Sequence, residues 1–546
     1  MMIWKVLESH SYITFAAAML AVTAPIFLAA RLPIDDPMRR RVLRYECWLV
    51  TVALGFAAVL AIRYLVVARP VIEGVDFFFY VVKAQELLNS RAGSSNANFV
   101  YGYFPGVYAF WKTVMALFGN DLATLQWAVV LLLLANAVLV AAIVTRTLTN
   151  WQAGVIAALW YVALASRFEG LYGTSEPIAT LFALAGVLCW GGLPLRGGAG
   201  WRRMLLLGAG LGLALWGKQQ GGLLSIGAVT LITGYALVPP QARHSLWQII
   251  LLPFVAASIF LVAILLEGEG LRPIREGLVG IGQYEAHGSL LGNLRGVVYQ
   301  MGFAGLGGLV ALLLWVATLV MPRLRPMHRE PWTAIVGFSL FASLATFLQF
   351  SKRPYLHYAL LLAPFLSIAA VTTAFELSRK LSAIGNGLRS IVFVLIAGLL
   401  CVPLIESKYG HSNFHVWPPA WNPSVAHEIP WHMQPDVASD LPVIATLVAP
   451  GEDLMVLPPR RYIVHFLFGS RIASTARVWA KQESAYNSLK SPTLDSVLII
   501  DRRAFDLADV EFCKSVQCSF PDSALVELGF VKAAEGKTMT LWRRAR

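Results

Sequence analysis

The chain has 546 residues, 57% hydrophobic and 14% charged, with a net charge of +13 and a mean hydropathy of +0.63. About a quarter of the residues of an ordinary soluble domain are charged, so the composition excludes one, and apolar runs of roughly 20 residues, each able to cross about 30 Å of hydrocarbon, recur along the chain. The basic excess lies wholly in residues 1–405 (29 Lys/Arg against 16 Asp/Glu, with 15 of each in 406–546) and much of it falls in short loops, which argues for membrane topology and against nucleic-acid binding.

About twelve spans are predicted, near 11–30, 47–67, 123–145, 151–166, 177–195, 204–217, 220–238, 247–266, 297–320, 332–350, 358–375 and 390–405. The first run lacks a basic n-region and a cleavage pattern, so it is expected to stay in the protein. Alternate loops (31–46, 146–150, 196–203, 239–246, 321–331 and 376–389) hold sixteen Lys/Arg, which assigns them to the cytoplasm. The 68–122 segment then faces outward.

That segment opens with Glu73-Gly-Val-Asp76-Phe-Phe-Phe-Tyr80. Phe77, Tyr80, Val81, Ala84, Leu87 and Leu88 recur at helical spacing and predict an amphipathic helix over 76–89, with Asp76 near its N-terminus. Asp76 is either a helix cap or a general base acting on an acceptor hydroxyl. Arg63, at the outer end of the preceding span, is a candidate to keep it ionised. A second helix is predicted from Pro105 to Gly119. Before it, Tyr101-Gly-Tyr103-Phe-Pro105 reads as a sugar-stacking turn or an interfacial anchor.

Further outer segments carry more ionisable groups. Ser175-Glu176-Pro177 starts a span, and Glu176 either contacts substrate or stabilises the helix N-terminus. Trp216-Gly-Lys218-Gln219 interrupts apolar sequence; a lysine there snorkels to the interface or joins an anion site. Lys352-Arg353-Pro-Tyr355-Leu-His357-Tyr358 places two cations against the positive-inside trend, for headgroups or for a phosphate.

After residue 405 the pattern becomes mixed α/β. A proline-rich connector leads to predicted strands at Asp453–Leu457, Ser496–Ile500 and Thr538–Trp542. The expected domains are therefore a transmembrane domain over 1–405 and a small soluble α/β domain over 406–546, outside the membrane. Cys513 and Cys518 are close enough in sequence for a local disulfide. His/Cys/Glu spacing suggests no transition-metal site.

The arrangement resembles the GT-C family of polytopic glycosyltransferases, which use polyprenyl-phosphate sugars. The resemblance is carried by Asp76-Phe-Phe-Phe-Tyr80 with Ala84 and Leu87-Leu88, Tyr103-Phe-Pro105, Leu117-Phe-Gly119, Ser175-Glu176-Pro177, Gly217-Lys218-Gln219, and Tyr355-Leu-His357-Tyr358 followed by Pro364. It implies a mainly α transmembrane bundle of about 12 spans with extracytoplasmic juxtamembrane helices. It also implies inverting transfer with Asp76 as base, and a donor phosphate held by Lys218, Lys352, Arg353 and His357. Arg63, Tyr80, Tyr103, Glu176, Gln219 and Tyr355 are the further candidates for contacting substrate. The implied partners are a polyprenyl-phosphate sugar, membrane lipids and a lipid, glycan or protein acceptor, at the outer face of a cytoplasmic membrane.

The sequence departs from the family at two points. A span, 11–30, precedes the helix before the aspartate loop, and Val75 stands where a second acidic residue is frequent. No cofactor is therefore expected, although a divalent cation beside Asp76 stays open. A secondary transporter is the first alternative, but the related halves it calls for are not evident. An O-antigen ligase or polymerase, using a lipid-diphosphate donor, is the second; its large late loop is absent, since 351–357 is short.

Overall fold

The computed structural model describes residues 75–89, 104–167, 173–192, 197–218, 242–267, 271–276, 329–350, 356–382, 434–458, 461–472, 489–504 and 521–545, with isolated positions elsewhere. Its contacts divide the chain into two units. One comprises Met1–Arg69, Tyr103–Gly106 and Trp127–Ala426; the other comprises Pro70–Gly102, Val107–Gln126 and His427–Arg546. The segment around Asp76 thus clusters with most of the helix that follows it and with the C-terminal residues.

The described helices are α1 (Val75–Asn89), α2 (Gly106–Phe118), α3 (Leu122–Leu148), α4 (Trp151–Arg167), α5 (Glu176–Trp190), α6 (Gly197–Gly217), α7 (Ala242–Leu266), α8 (Arg329–Phe350) and α9 (Ala363–Ser382), followed by α10 (Pro435–Ala445), α11 (Tyr462–Phe468) and α12 (Asp522–Glu527). Among the described residues α3 alone is long and apolar enough to cross a membrane by itself, with 27 residues. At about 1.5 Å per residue it measures roughly 40 Å. Shorter apolar stretches lie at Trp151–Ala165, Glu176–Trp190, Leu251–Leu266, Ala334–Leu344 and Ala363–Glu376. The predicted spans 11–30, 47–67, 220–238, 297–320 and 390–405 fall outside the described residues, apart from isolated positions.

Glycines set the helix packing in the first unit. On α6, Gly208 and Gly212 are one turn apart and lie against Val255 and Ala256 of α7. Gly210 projects from the opposite side, where an added Cβ would come 2.6 Å from the Phe182 carbonyl and 2.7 Å from the Gly186 Cα, both on α5. Small residues on two faces let one helix approach two neighbours at backbone distance. α5 and α6 run antiparallel, for Gly186 meets Gly210 while Ile178 meets Gly217.

α8 and α9 pack through Val336, Leu340 and Ala369, with Phe338 against Phe365 at 5.6 Å. The 358–375 span was expected as one helix, but a 3-10 helix over Leu356–Leu361 precedes α9. Pro364 is the physical reason. It lacks an N–H and disfavours the α conformation at the residue before it.

In the second unit, strands β1 (Asp453–Leu457), β2 (Arg471–Ile472), β3 (Ser496–Ile500), β4 (Phe530–Glu535) and β5 (Met539–Arg544) form one sheet in the order β2-β1-β3-β5-β4. β1 pairs in parallel with β2 and β3, while β5 runs antiparallel to β3 and β4. Asp440 of α10 accepts hydrogen bonds from the Lys537 and Thr538 backbone N–H groups and the Thr538 hydroxyl, tying that helix to the β4–β5 turn. His465 of α11 is buried against Ser470, with Nδ1 3.2 Å from its hydroxyl. Burial, and then the Lys83 charge, push its pKa down to about 3, so it is neutral near pH 7.

The predicted helix over 76–89 is present as α1, yet it is not amphipathic in its setting. Phe77, Phe78 and every residue from Tyr80 to Ala84 are buried, Lys83 included. Elements of its own unit cover more than the one face that the apolar spacing marks.

Candidate active site

Glu176 is the first residue of α5, with Pro177 in the first turn, where a missing N–H costs no helical hydrogen bond. A buried amide holds this turn in place. Asn136 of α3 donates Nδ2–H to the carbonyls of Pro177 and Leu132, each at 2.9 Å, and its Oδ1 accepts the Thr180 hydroxyl at 3.0 Å. Lys218 follows the last turn of α6, its backbone N–H bonded to the Ala214 carbonyl at 3.0 Å.

Because α5 and α6 are antiparallel, the start of one meets the end of the other. Lys218 Nζ lies 2.7 Å from Glu176 Oε1, with the two side chains 2% and 0% exposed. Either charge alone would be expensive at this depth, and each makes the other tolerable. Lys218 does not reach for solvent along its stem.

The 3-10 helix brings two more groups to the pair. The Tyr358 ring centroid lies 5.5 Å from Lys218 Nζ, a cation–π distance. His357 packs edge-on against Tyr358 at 4.6 Å and is close enough to act electrostatically on Glu176. Thr174 Oγ1, Ser175 Oγ and Glu176 Oε2 are buried with no hydrogen-bond partner among the described residues. Buried polar atoms are nearly always hydrogen-bonded, so this group suits a polar ligand. Gly106 touches the backbone of Trp216, two residues before Lys218, where a Cβ would fall 2.4 Å from the carbonyl oxygen.

Of the predicted site residues, the structure brings together Glu176, Lys218 and His357. Asp76 has its backbone in the first turn of α1, and Tyr80 is buried in the same helix with its ring 6.2 Å from that of Tyr108. Arg63, Tyr103, Gln219, Lys352, Arg353 and Tyr355 lie outside the described residues. Sequence reasoning missed Asn136 and Thr180. The signal was there for Asn136, a lone amide inside the 123–145 apolar run, because such a group needs partners in hydrocarbon.

No protein-family model matches the sequence, and no curated protein matches it. Solved structures do. ArnT from Cupriavidus metallidurans bound to undecaprenyl phosphate superposes with a TM-score of 0.53 at 14% identity, covering 90% of this chain and 98% of ArnT. The apo state of the same protein gives 0.52 at 15% identity over the same shares. Identity this low speaks for architecture, and coverage of nearly both whole chains makes that statement a global one. The chain has the fold of ArnT.

Proposed function

We propose that this protein is an integral membrane glycosyltransferase. It moves a sugar from a polyprenyl-phosphate donor to a hydroxyl of a lipid, glycan or protein acceptor, with inversion, at the outer face of the cytoplasmic membrane. The observation that carries the reading is the buried Glu176–Lys218 pair beside His357 and Tyr358, with orphaned hydroxyls next to it, in a chain with the ArnT fold. A buried cluster of cation, carboxylate and hydroxyls fits a ligand with both a phosphate and several hydroxyl groups.

The acceptor oxygen attacks the anomeric carbon, and the bond from that carbon to the phosphate oxygen breaks on the opposite face. Asp76 takes the acceptor proton as the new bond forms, since a hydroxyl is too weak an acid for a carboxylate to deprotonate beforehand. The bond electrons leave with the phosphate. Lys218, with Lys352, Arg353 and His357, stabilises the charge that develops there. Glu176 pairs with the buried Lys218 and, with Ser175 and Thr174, offers oxygen atoms to the sugar hydroxyls. The reaction as proposed calls on no cofactor.

Asp76→Asn tests this. In proteoliposomes supplied with a polyprenyl-phosphate sugar, transfer should fall at least about 100-fold, the low end of what acid–base catalysis supplies, while donor binding persists. Turnover at the normal rate in that variant removes Asp76 from the mechanism. Mass spectrometry of membrane glycolipids and surface glycans, with and without Asp76, reads the added sugar and its carrier together.

A further inference from the structure

Asp76 belongs to the first turn of α1, and part of what grips α1 lies nearly four hundred residues further along the chain. On one side Phe77 meets Trp111 edge-on at 5.1 Å, a neighbouring contact supplied by α2. On another, Phe78 faces Phe466 at 5.8 Å and Phe79 faces Tyr462 at 5.4 Å, both rings from α11. Two turns further on, Glu86 Oε1 accepts the backbone N–H of Ile472 at 3.1 Å, while its Oε2 takes the Lys83 ammonium at 2.7 Å.

Ile472 belongs to β2, an edge strand of the sheet. An edge strand exposes backbone donors that attract foreign strands, and here a helix carboxylate occupies one of them. Phe78 and Phe79 are about 100° apart around the helix, so their two ring contacts restrain its rotation. Glu86 restrains its sliding. A folded sheet needs neither restraint for its own stability, since β1, β3 and β5 are already paired on both sides.

We infer that the C-terminal α/β domain is a positioning element for the transfer reaction, acting through Tyr462, Phe466 and the Glu86–Ile472 bond on the helix that carries Asp76. The inference rests on Asp76 being the base. A base works only within about 2.6–3.2 Å of the oxygen whose proton it takes, and a misplacement of about 1 Å can cost roughly 100-fold in rate. A helix held by three remote contacts is one whose rotation and height those contacts decide.

The experiment uses the full chain in proteoliposomes with a polyprenyl-phosphate sugar, comparing Glu86→Ala, Phe466→Leu and the conservative Glu86→Gln and Tyr462→Phe. Gln keeps an oxygen for the Ile472 N–H, and Phe keeps the ring that meets Phe79. Glu86→Ala and Phe466→Leu should lower kcat 10- to 100-fold with donor KM within about twofold, on the misplacement argument above, and the conservative pair should restore the wild-type kcat. Unchanged kcat in Glu86→Ala, or kcat and donor KM failing together in Phe466→Leu, overturns the inference. Asp76→Asn run alongside separates the two claims. If it is inactive while Glu86→Ala is normal, only the positioning role falls; if it is active, the reading of Asp76 falls first.

Discussion

Removing either member of the Glu176–Lys218 pair should cost far more than removing both. At 2.7 Å two unit charges attract by about 6 kcal/mol at an effective dielectric near 20, and much of that is spent on their desolvation. Replacing one partner leaves the other buried and uncompensated, at a cost of about 3–5 kcal/mol. Lys218→Met should sit at the upper end, because it also loses the Tyr358 ring contact, worth about 0.5–2 kcal/mol. Glu176→Gln should sit lower, since Lys218 keeps that ring. The double variant Glu176→Gln/Lys218→Met removes both charges and should return to within about 2 kcal/mol of the wild type. Unfolding free energies of purified protein in mixed micelles close the cycle, with an expected coupling above about 2 kcal/mol. Single costs below about 1 kcal/mol that simply add in the double variant would refute the reasoning, for the two charges would then be solvated separately. The double variant also separates stability from chemistry: it should be folded and still fail to transfer sugar.

Three other perturbations follow from the same geometry. Asn136→Leu removes one partner each from the Pro177 carbonyl and the Thr180 hydroxyl and leaves them only the 3.2 Å bond between themselves, so it should destabilise the protein by about 1–2 kcal/mol in the same unfolding assay. Gly210→Ala drives a methyl group into the α5 backbone, at about 1–3 kcal/mol, and should weaken the Glu176–Lys218 coupling by parting the two helices. The third concerns pH. His465 titrates at about 3 in the fold and near 6.5 when unfolded. Below about 6.5 the unfolded chain binds the extra proton, so stability present at neutral pH is lost progressively as pH falls toward 3. Between pH 6.5 and 5 the loss should approach about 2 kcal/mol, read by amide exchange of the Asp453–Leu457 strand, and His465→Gln should flatten the slope.

Sequence by itself determined what depends on nearest neighbours along the chain. Hydropathy and charge spacing established a membrane protein, and helical periodicity placed α1 and α2 within a residue or two of where they lie. Apolar β-forming runs located β1 and β3. β4 was missed because Val531, Lys532 and Ala533 are exposed on an edge strand, which leaves little alternation to detect. Charge bias gave the expectation that Glu176 and Lys218 share one side of the membrane, but not that they lie against each other. That contact waited on tertiary structure, since it arises from Gly186 and Gly210 letting two antiparallel helices close until their ends align. The burial of α1 on several sides is of the same kind. Its neighbours Phe466 and Tyr462 lie nearly four hundred residues away, and no local pattern records which distant surface an apolar face will meet.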